Sequence, residues 1–172
     1  MKGSTIALTI EDLITREEIR DALIAYSQGL DQRNWDLYEQ AFTADATFEA
    51  PDEGIGKMST EELKRLLQSG NDATRLSGQH ALYNTHFTID GDTARTITEV
   101  EWVTLQTTDR PGLIFEVRAG GMYVDDLVRA EDGWRIRARK LVTKNKETRG
   151  VNYTQERIDN IRTHALQTYY FI

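Results

Sequence analysis

The sequence predicts an α+β fold in which helices come first and a curled, mostly antiparallel sheet follows. Three observations carry this. Apolar residues recur at helical spacing in the first part of the chain, strand-like runs take over from Gln79, and turn-forming triplets separate those runs. A long antiparallel meander twists and curls, so the helices fill its concave side.

The elements follow in order. Thr15 opens the first helix, with Glu18 three residues on completing a capping box. Ile19, Leu23, Tyr26 and Leu30 then share one face, and Gly29 weakens the last turn. Asn34 caps a second, short helix carrying Trp35, Tyr38 and Phe42. A strand around Ala46 to Ala50 stops at Pro51. Ser59 and Glu62 form another capping box ahead of Leu63, Leu66 and Leu67. Four strands are expected over 79–89, 93–107, 113–128 and 134–143. Asp90-Gly91-Asp92, Arg110-Pro111-Gly112 and Glu131-Asp132-Gly133 turn the chain between them.

With 172 residues the chain reads as one domain, 1–172, able to bury a sizeable core. Hydrophobic residues at 39% and charged residues at 28% describe an ordinary globular protein. A net charge of -7 argues against nucleic acid as a partner. Arg135, Arg137, Arg139, Lys140, Lys144 and Lys146 do cluster, and their alternation reads as the solvent face of a strand. There is no cysteine, so disulfides and thiolate metal sites are excluded. Met1 to Ile14 lacks a secretory apolar core, and no run approaches membrane-spanning length, so a cytoplasmic location is expected. The histidines, His80, His86 and His164, show no metal-ligand spacing, and Gly120-Gly121 alone is no phosphate loop. Neither a metal nor a cofactor is expected.

Two features break the local rules. Asp31 sits at the C-terminal end of the first helix, where the macrodipole disfavours a carboxylate. His80 opens a strand whose same-face neighbours, on a regular pleat, are Leu82, Asn84 and His86.

Tyr26-Ser-Gln-Gly-Leu-Asp31-Gln-Arg-Asn-Trp35-Asp36 with Phe42-Thr-Ala-Asp45-Ala46 resembles the SnoaL-like proteins of the nuclear-transport-factor-2-like superfamily. That superfamily includes scytalone dehydratase, bile acid 7α-dehydratase, hexachlorocyclohexane dehydrochlorinase and ketosteroid isomerase. The likeness continues through Gly78-Gln-His80, Ile89-Asp-Gly-Asp92-Thr-Ala94, Gly120-Gly-Met-Tyr123-Val-Asp125 and Asp132-Gly-Trp134-Arg-Ile136. It covers roughly residues 12–143 and leaves a tail, 144–172, outside it.

The resemblance implies a cone-shaped α+β barrel, its curved sheet closed by helices around an apolar pocket. It implies Asp31 as the aspartate these enzymes place after the first helix, and His80 as their histidine at the start of the first long strand. Tyr26 matches the pocket tyrosine of the bile acid dehydratase, whereas scytalone dehydratase has its tyrosine at Leu30. The departures bear on substrate. A second pocket tyrosine falls at Ala50, scytalone dehydratase's second histidine has no counterpart in 93–107, and the bile acid dehydratase's arginine falls near Thr143 or Lys144.

A carboxylate on one imidazole nitrogen fixes the tautomer and raises the basicity of the other. Asp31 and His80 would then form an orienting group and proton carrier for general acid–base elimination, with Tyr26 polarising an oxygen. A core histidine satisfied by backbone and an aspartate capping the next turn are the plain alternatives. Asn84, Trp102, Met122, Tyr123 and Thr143 are the candidate pocket-wall residues, and Trp134 is core or wall.

Three functions fit. One is a lyase expelling water, halide or formaldehyde from a hydrophobic aromatic or polycyclic substrate. The second is an isomerase or cyclase of the same fold. The third is the non-catalytic small subunit of a ring-hydroxylating dioxygenase. A homo-oligomer, dimer or trimer, is expected. In the tail, Ile158, Ile161, Ala165, Tyr169 and Ile172 predict an amphipathic helix starting near Thr154. It is expected to pack on the outer sheet, on a neighbouring subunit, or over the pocket through Tyr169, Tyr170 or Phe171.

Overall fold

A computed structural model of the chain describes residues 8–71 and 74–165. Its elements are α1 (Ile10–Gln32), α2 (Trp35–Gln40), β1 (Phe42–Ala50), β2 (Ile55–Ser59), α3 (Thr60–Leu66), β3 (Arg75–Asp90), β4 (Thr93–Thr107), β5 (Leu113–Ala130), β6 (Gly133–Asn152) and α4 (Gln155–His164). The fold is α+β, as the sequence predicts.

Helix α1 begins earlier than expected. Thr9 caps it, its hydroxyl accepting from the Asp12 N–H at 3.1 Å while the Asp12 carboxylate accepts from the Thr9 N–H at 2.8 Å. Thr15 and Glu18 instead lie inside the helix and receive Arg129 of β5, each at 3.2 Å. The helix runs on through Gly29 to Gln32. A Cβ on Gly29 would stand 2.5 Å from the Tyr38 nitrogen, so its bare surface lets α2 cross closely. Asn34 caps α2 as expected, through the Leu37 N–H at 3.1 Å, but Phe42 belongs to β1.

The six strands form one curved, unclosed sheet in the order β2-β1-β6-β5-β4-β3. All neighbours are antiparallel except β1 and β6, which run parallel. β2 has no counterpart among the expected strands. β4 occupies its expected residues, while β6 continues through Asn152, which pairs with Leu113. The first part of the tail, residues 144–152, is therefore strand, and the helix expected near Thr154 follows as α4 with Thr154 as its cap.

The main core lies between α1, α2 and the concave face of the sheet, with Ile19, Leu23, Tyr38, Trp134 and Ile136 fully or nearly fully buried. Each such side chain contributes about 1.5–3 kcal/mol by leaving water. A smaller cluster joins Ile158 and Ile161 of α4 to Leu76, Leu105 and Ile114. Their chain neighbours Arg75, Thr104, Gln106 and Phe115 line the concave cavity, so strand alternation puts α4 on the outer face. Tyr169, Tyr170 and Phe171 lie outside the described residues. Among the described residues no helix is long and apolar enough to cross a membrane.

Candidate active site

α1 delivers Asp31 to the sheet because the helix runs one residue past it and then stops sharply. Arg33 ends it in the left-handed region, φ 54°, with its N–H returned to the Leu30 carbonyl. Across the gap, β3 presents Gly78 and His80. A Cβ on Gly78 would lie 3.2 Å from Asp31 Oδ1, so glycine leaves room for the carboxylate. Asp31 then grips His80 twice. Its Oδ2 accepts from the His80 backbone N–H at 2.6 Å, and its Oδ1 meets ring Nδ1 at 2.6 Å.

This double contact fixes both the carboxylate and the ring. A carboxylate at Nδ1 holds the proton there and leaves Nε2 as the basic nitrogen. Trp102, cross-strand partner of His80, lies nearly parallel to the ring with centroids 6.2 Å apart. Tyr26 meets the ring edge-on at 6.5 Å. The pair is largely shielded, with side-chain exposure of 8% for His80 and 13% for Asp31.

His80 borders a concave cavity of about 500 Å³. Tyr26 and Trp102 flank the histidine there, Tyr123 packs on Tyr26 in the same lining, and Phe48, Leu63 and Leu141 supply apolar wall. Thr104, Gln106 and Thr148 add polar groups along β4 and β6. At the rim Glu53 is paired with Lys146 and accepts from the Thr143 hydroxyl at 3.0 Å.

Behind Tyr26 and Tyr123 lies a buried ion pair whose arginine was expected on the solvent face of a strand. Arg139 donates to Asp125 through Nε at 2.7 Å and Nη2 at 2.9 Å, and its guanidinium sits 4.2 Å and 4.1 Å from the centroids of the two tyrosine rings. A register shift around Arg137 is the reason. Ile136 and Arg139, three apart, both face inward, so simple alternation fails there. Burial pushes the Tyr26 hydroxyl above its usual range, partly offset by the Arg139 charge and the Tyr123 hydrogen bond. Burial pushes Tyr123 well up too, and the neighbouring Tyr26 adds to it. Both phenols therefore stay neutral and able to donate.

The structure thus brings together Asp31, His80, Tyr26, Trp102 and Tyr123. Thr143 reaches the rim only through Glu53. Met122 follows the opposite face from Tyr123, as adjacent strand residues must, and does not line the cavity. Asn84 is exposed because the β3 register shifts between Leu82 and Thr85, which ends the alternation counted from His80. Sequence reasoning missed Arg75, a buried cavity-lining residue that donates to the Leu30 carbonyl at 2.8 Å. It also missed Asp125, although alternation with Tyr123 and Leu127 marks an inward carboxylate. Among the described residues no group of three or more His, Asp or Glu side chains is placed to hold a metal ion.

Comparison with known proteins adds relatives to this geometry. A family model described as SnoaL-like domain matches residues 11–140. The uncharacterized protein Rv2910c of Mycobacterium tuberculosis (strain ATCC 25618 / H37Rv) is 32% identical over 139 residues, 80% of this chain and 90% of that protein. Among solved structures, the Kfla4162 protein from Kribbella flavida has a TM-score of 0.70 at 23% identity, covering 78% of this chain and 94% of that one. A type 2 hexachlorocyclohexane dehydrochlorinase (LinA) has a TM-score of 0.71 at 16% identity, covering 84% and 96%. The LinA-type3 dehydrochlorinase from Novosphingobium barchaimii LL02 has 0.69 at 16%, covering 84% and 97%. At these identities the likeness to the solved structures is one of fold.

Proposed function

The chain belongs to the SnoaL-like domain family, and on that premise we propose that it is a cofactor-independent lyase acting on a hydrophobic aromatic or polycyclic substrate. The observation that carries this reading is the 2.6 Å contact of Asp31 with His80 Nδ1 at the wall of a largely apolar cavity of about 500 Å³. A void of that size suits a ring compound of small-molecule dimensions.

In the reaction His80 Nε2 takes a proton from carbon adjacent to a carbonyl or an arene. The C–H electrons form the new double bond, the C–O bond breaks, and the imidazolium returns its proton to the departing hydroxyl as water. Asp31 stabilises the imidazolium and fixes the ring, and neutral Tyr26 donates a hydrogen bond to the carbonyl oxygen. For halide the same base takes the carbon-bound proton as the C–halogen bond breaks; for formaldehyde it takes the hydroxymethyl O–H proton, the C–C bond breaks, and the imidazolium returns that proton to the carbanion carbon. The dehydrochlorinase neighbours, though distant in sequence, are consistent with elimination on this fold.

Incubation with a panel of aromatic and polycyclic alcohols, followed by product mass, tests the proposal. Loss of one water from a substrate is expected, while conserved mass would favour the isomerase or cyclase. His80→Ala should abolish turnover, and Asp31→Asn should lower it about 100- to 10,000-fold with unchanged circular dichroism. Near-normal turnover in His80→Ala moves the chemistry to another group. Chelator treatment should leave the rate unchanged.

A further inference from the structure

His80 borders a second void as well as the inner cavity, and we propose that this outer groove is a solvent port for the imidazole. It would carry water and polar species of a few heavy atoms to the ring while the inner cavity is filled. The groove has a volume of about 290 Å³ and lies between α1 and edge strand β3. Ile24, Ser27 and Gln28 form its helical wall, and Leu82, Tyr83 and Thr85 its strand wall.

The sequence builds this opening through a local defect. The register shift between Leu82 and Thr85 takes Tyr83 and Asn84 out of the ladder with β4, and such a shift bends its strand. Among the described residues β3 is the last strand of the sheet, and no further strand covers the bend. The Tyr83 hydroxyl donates to Glu101 of β4 at 2.8 Å, which holds the ring as a wall of the groove.

The lining is mixed: Leu23, Ile24 and Leu82 are apolar, and Arg20 and several neutral polar groups give water its partners. Ser27 donates its hydroxyl to the Leu23 carbonyl at 3.3 Å and keeps an oxygen for accepting. Thr85 Oγ1, which accepts from Thr98 at 3.3 Å, and the Gln28 amide add further polar groups. At about 30 Å³ of liquid volume per water, the groove holds several molecules.

An apolar occupant of the inner cavity expels water from the aromatic side of His80. A base closed on all sides could not exchange its proton with solvent, and the small product would have no exit. The groove supplies both without emptying the inner cavity. Its use in turnover rests on the acid–base role proposed above, whereas access itself does not.

Deuterium exchange at the imidazole Cε1, followed by mass spectrometry in D2O, reads access with no substrate. The exposed His86 and His164 serve as references within the same chain. Gln28→Trp and Thr85→Trp, two independent plugs of the groove, should each slow His80 exchange roughly tenfold. Thr104→Trp, which fills the inner cavity, should leave it within about twofold. Unchanged reference rates and circular dichroism establish that each variant is folded. Slowing by Thr104→Trp alone, or equal slowing by inner and outer plugs, overturns the port. A working port in a protein without turnover would instead count against the lyase.

Discussion

Two aspartates meet basic side chains in this molecule at nearly the same distance, one an imidazole and the other a guanidinium. Asp31 and His80 are 2.6 Å apart and His80 borders two voids, while Asp125 and Arg139 are 2.7 Å apart with side chains 0% exposed. The first partner is an imidazole, a side chain that can release its proton and that keeps a second ring nitrogen beyond the one facing Asp31. The second is a guanidinium, always charged, held between two tyrosine rings. Contact geometry alone therefore does not mark a reactive pair. On the proposed reading, the bordering voids and a partner able to give up a proton single out Asp31 and His80. A third aspartate completes the series: Asp126, next along β5, points outward to Arg95 at 2.8 Å, both partners well exposed.

The largest effect is expected from Arg139→Met, which leaves Asp125 buried without its cation and should cost about 3–5 kcal/mol in urea unfolding. Arg139→Met combined with Asp125→Leu should recover most of that loss. Equal destabilisation of single and double variants would mean that packing around the rings, not charge, is at stake. Gly78→Ala probes the other pair, because the new Cβ falls 3.2 Å from Asp31 Oδ1. It should lower turnover about tenfold through a displaced carboxylate, with little change in the unfolding midpoint. Normal turnover there would show that the Asp31 contact tolerates displacement.

Alkaline titration sharpens the contrast further. Burial raises the folded-state values of Tyr26, Tyr38 and Tyr123. The unfolded chain releases those protons first, near pH 10, so stability is full below that value and erodes as pH rises beyond it. Absorbance at high pH should show these three ionising only as the protein unfolds. Their early ionisation would mean that the Arg139 region is open to solvent. The smallest effect belongs to Arg95→Ala, expected to change stability by no more than about 0.5 kcal/mol. A larger loss would remove the distinction between the outward and inward aspartates.

Much of this arrangement was legible before any coordinates. The helical face of Ile19, Leu23, Tyr26 and Leu30, the three turns and the Ser59 capping box lie where periodicity and turn chemistry put them. Asp31 and His80 were legible as rule-breakers and through a family resemblance, and the structure brings them into contact. The misses share a cause: a local signal was captured by a distant partner. Thr15 and Glu18 fit a capping box yet serve Arg129. Residues 144–152 are polar on both faces and are strand only because β5 pairs with them along its length. Arg139 and Asn84 were misassigned because register shifts break the two-residue count. Periodicity reports burial, and it fails where ladder pairing or an ion pair decides the conformation.

The parallel pairing of β1 with β6 also constrains how this chain comes into being. Phe42 aligns with Ile136, so a strand made early waits for one made almost last. β3 through β6 join neighbours in sequence and can zip as a meander, but β1 and β2 have no sheet to enter until the meander is complete. Contacts at such separation close slowly because the loop entropy must be met first. On a ribosome the amino-terminal third would emerge with its apolar helix face uncovered and await the far end of the chain. Chaperone demand should therefore concentrate on that early segment, and a message truncated before β6 would yield a product recognised as waste.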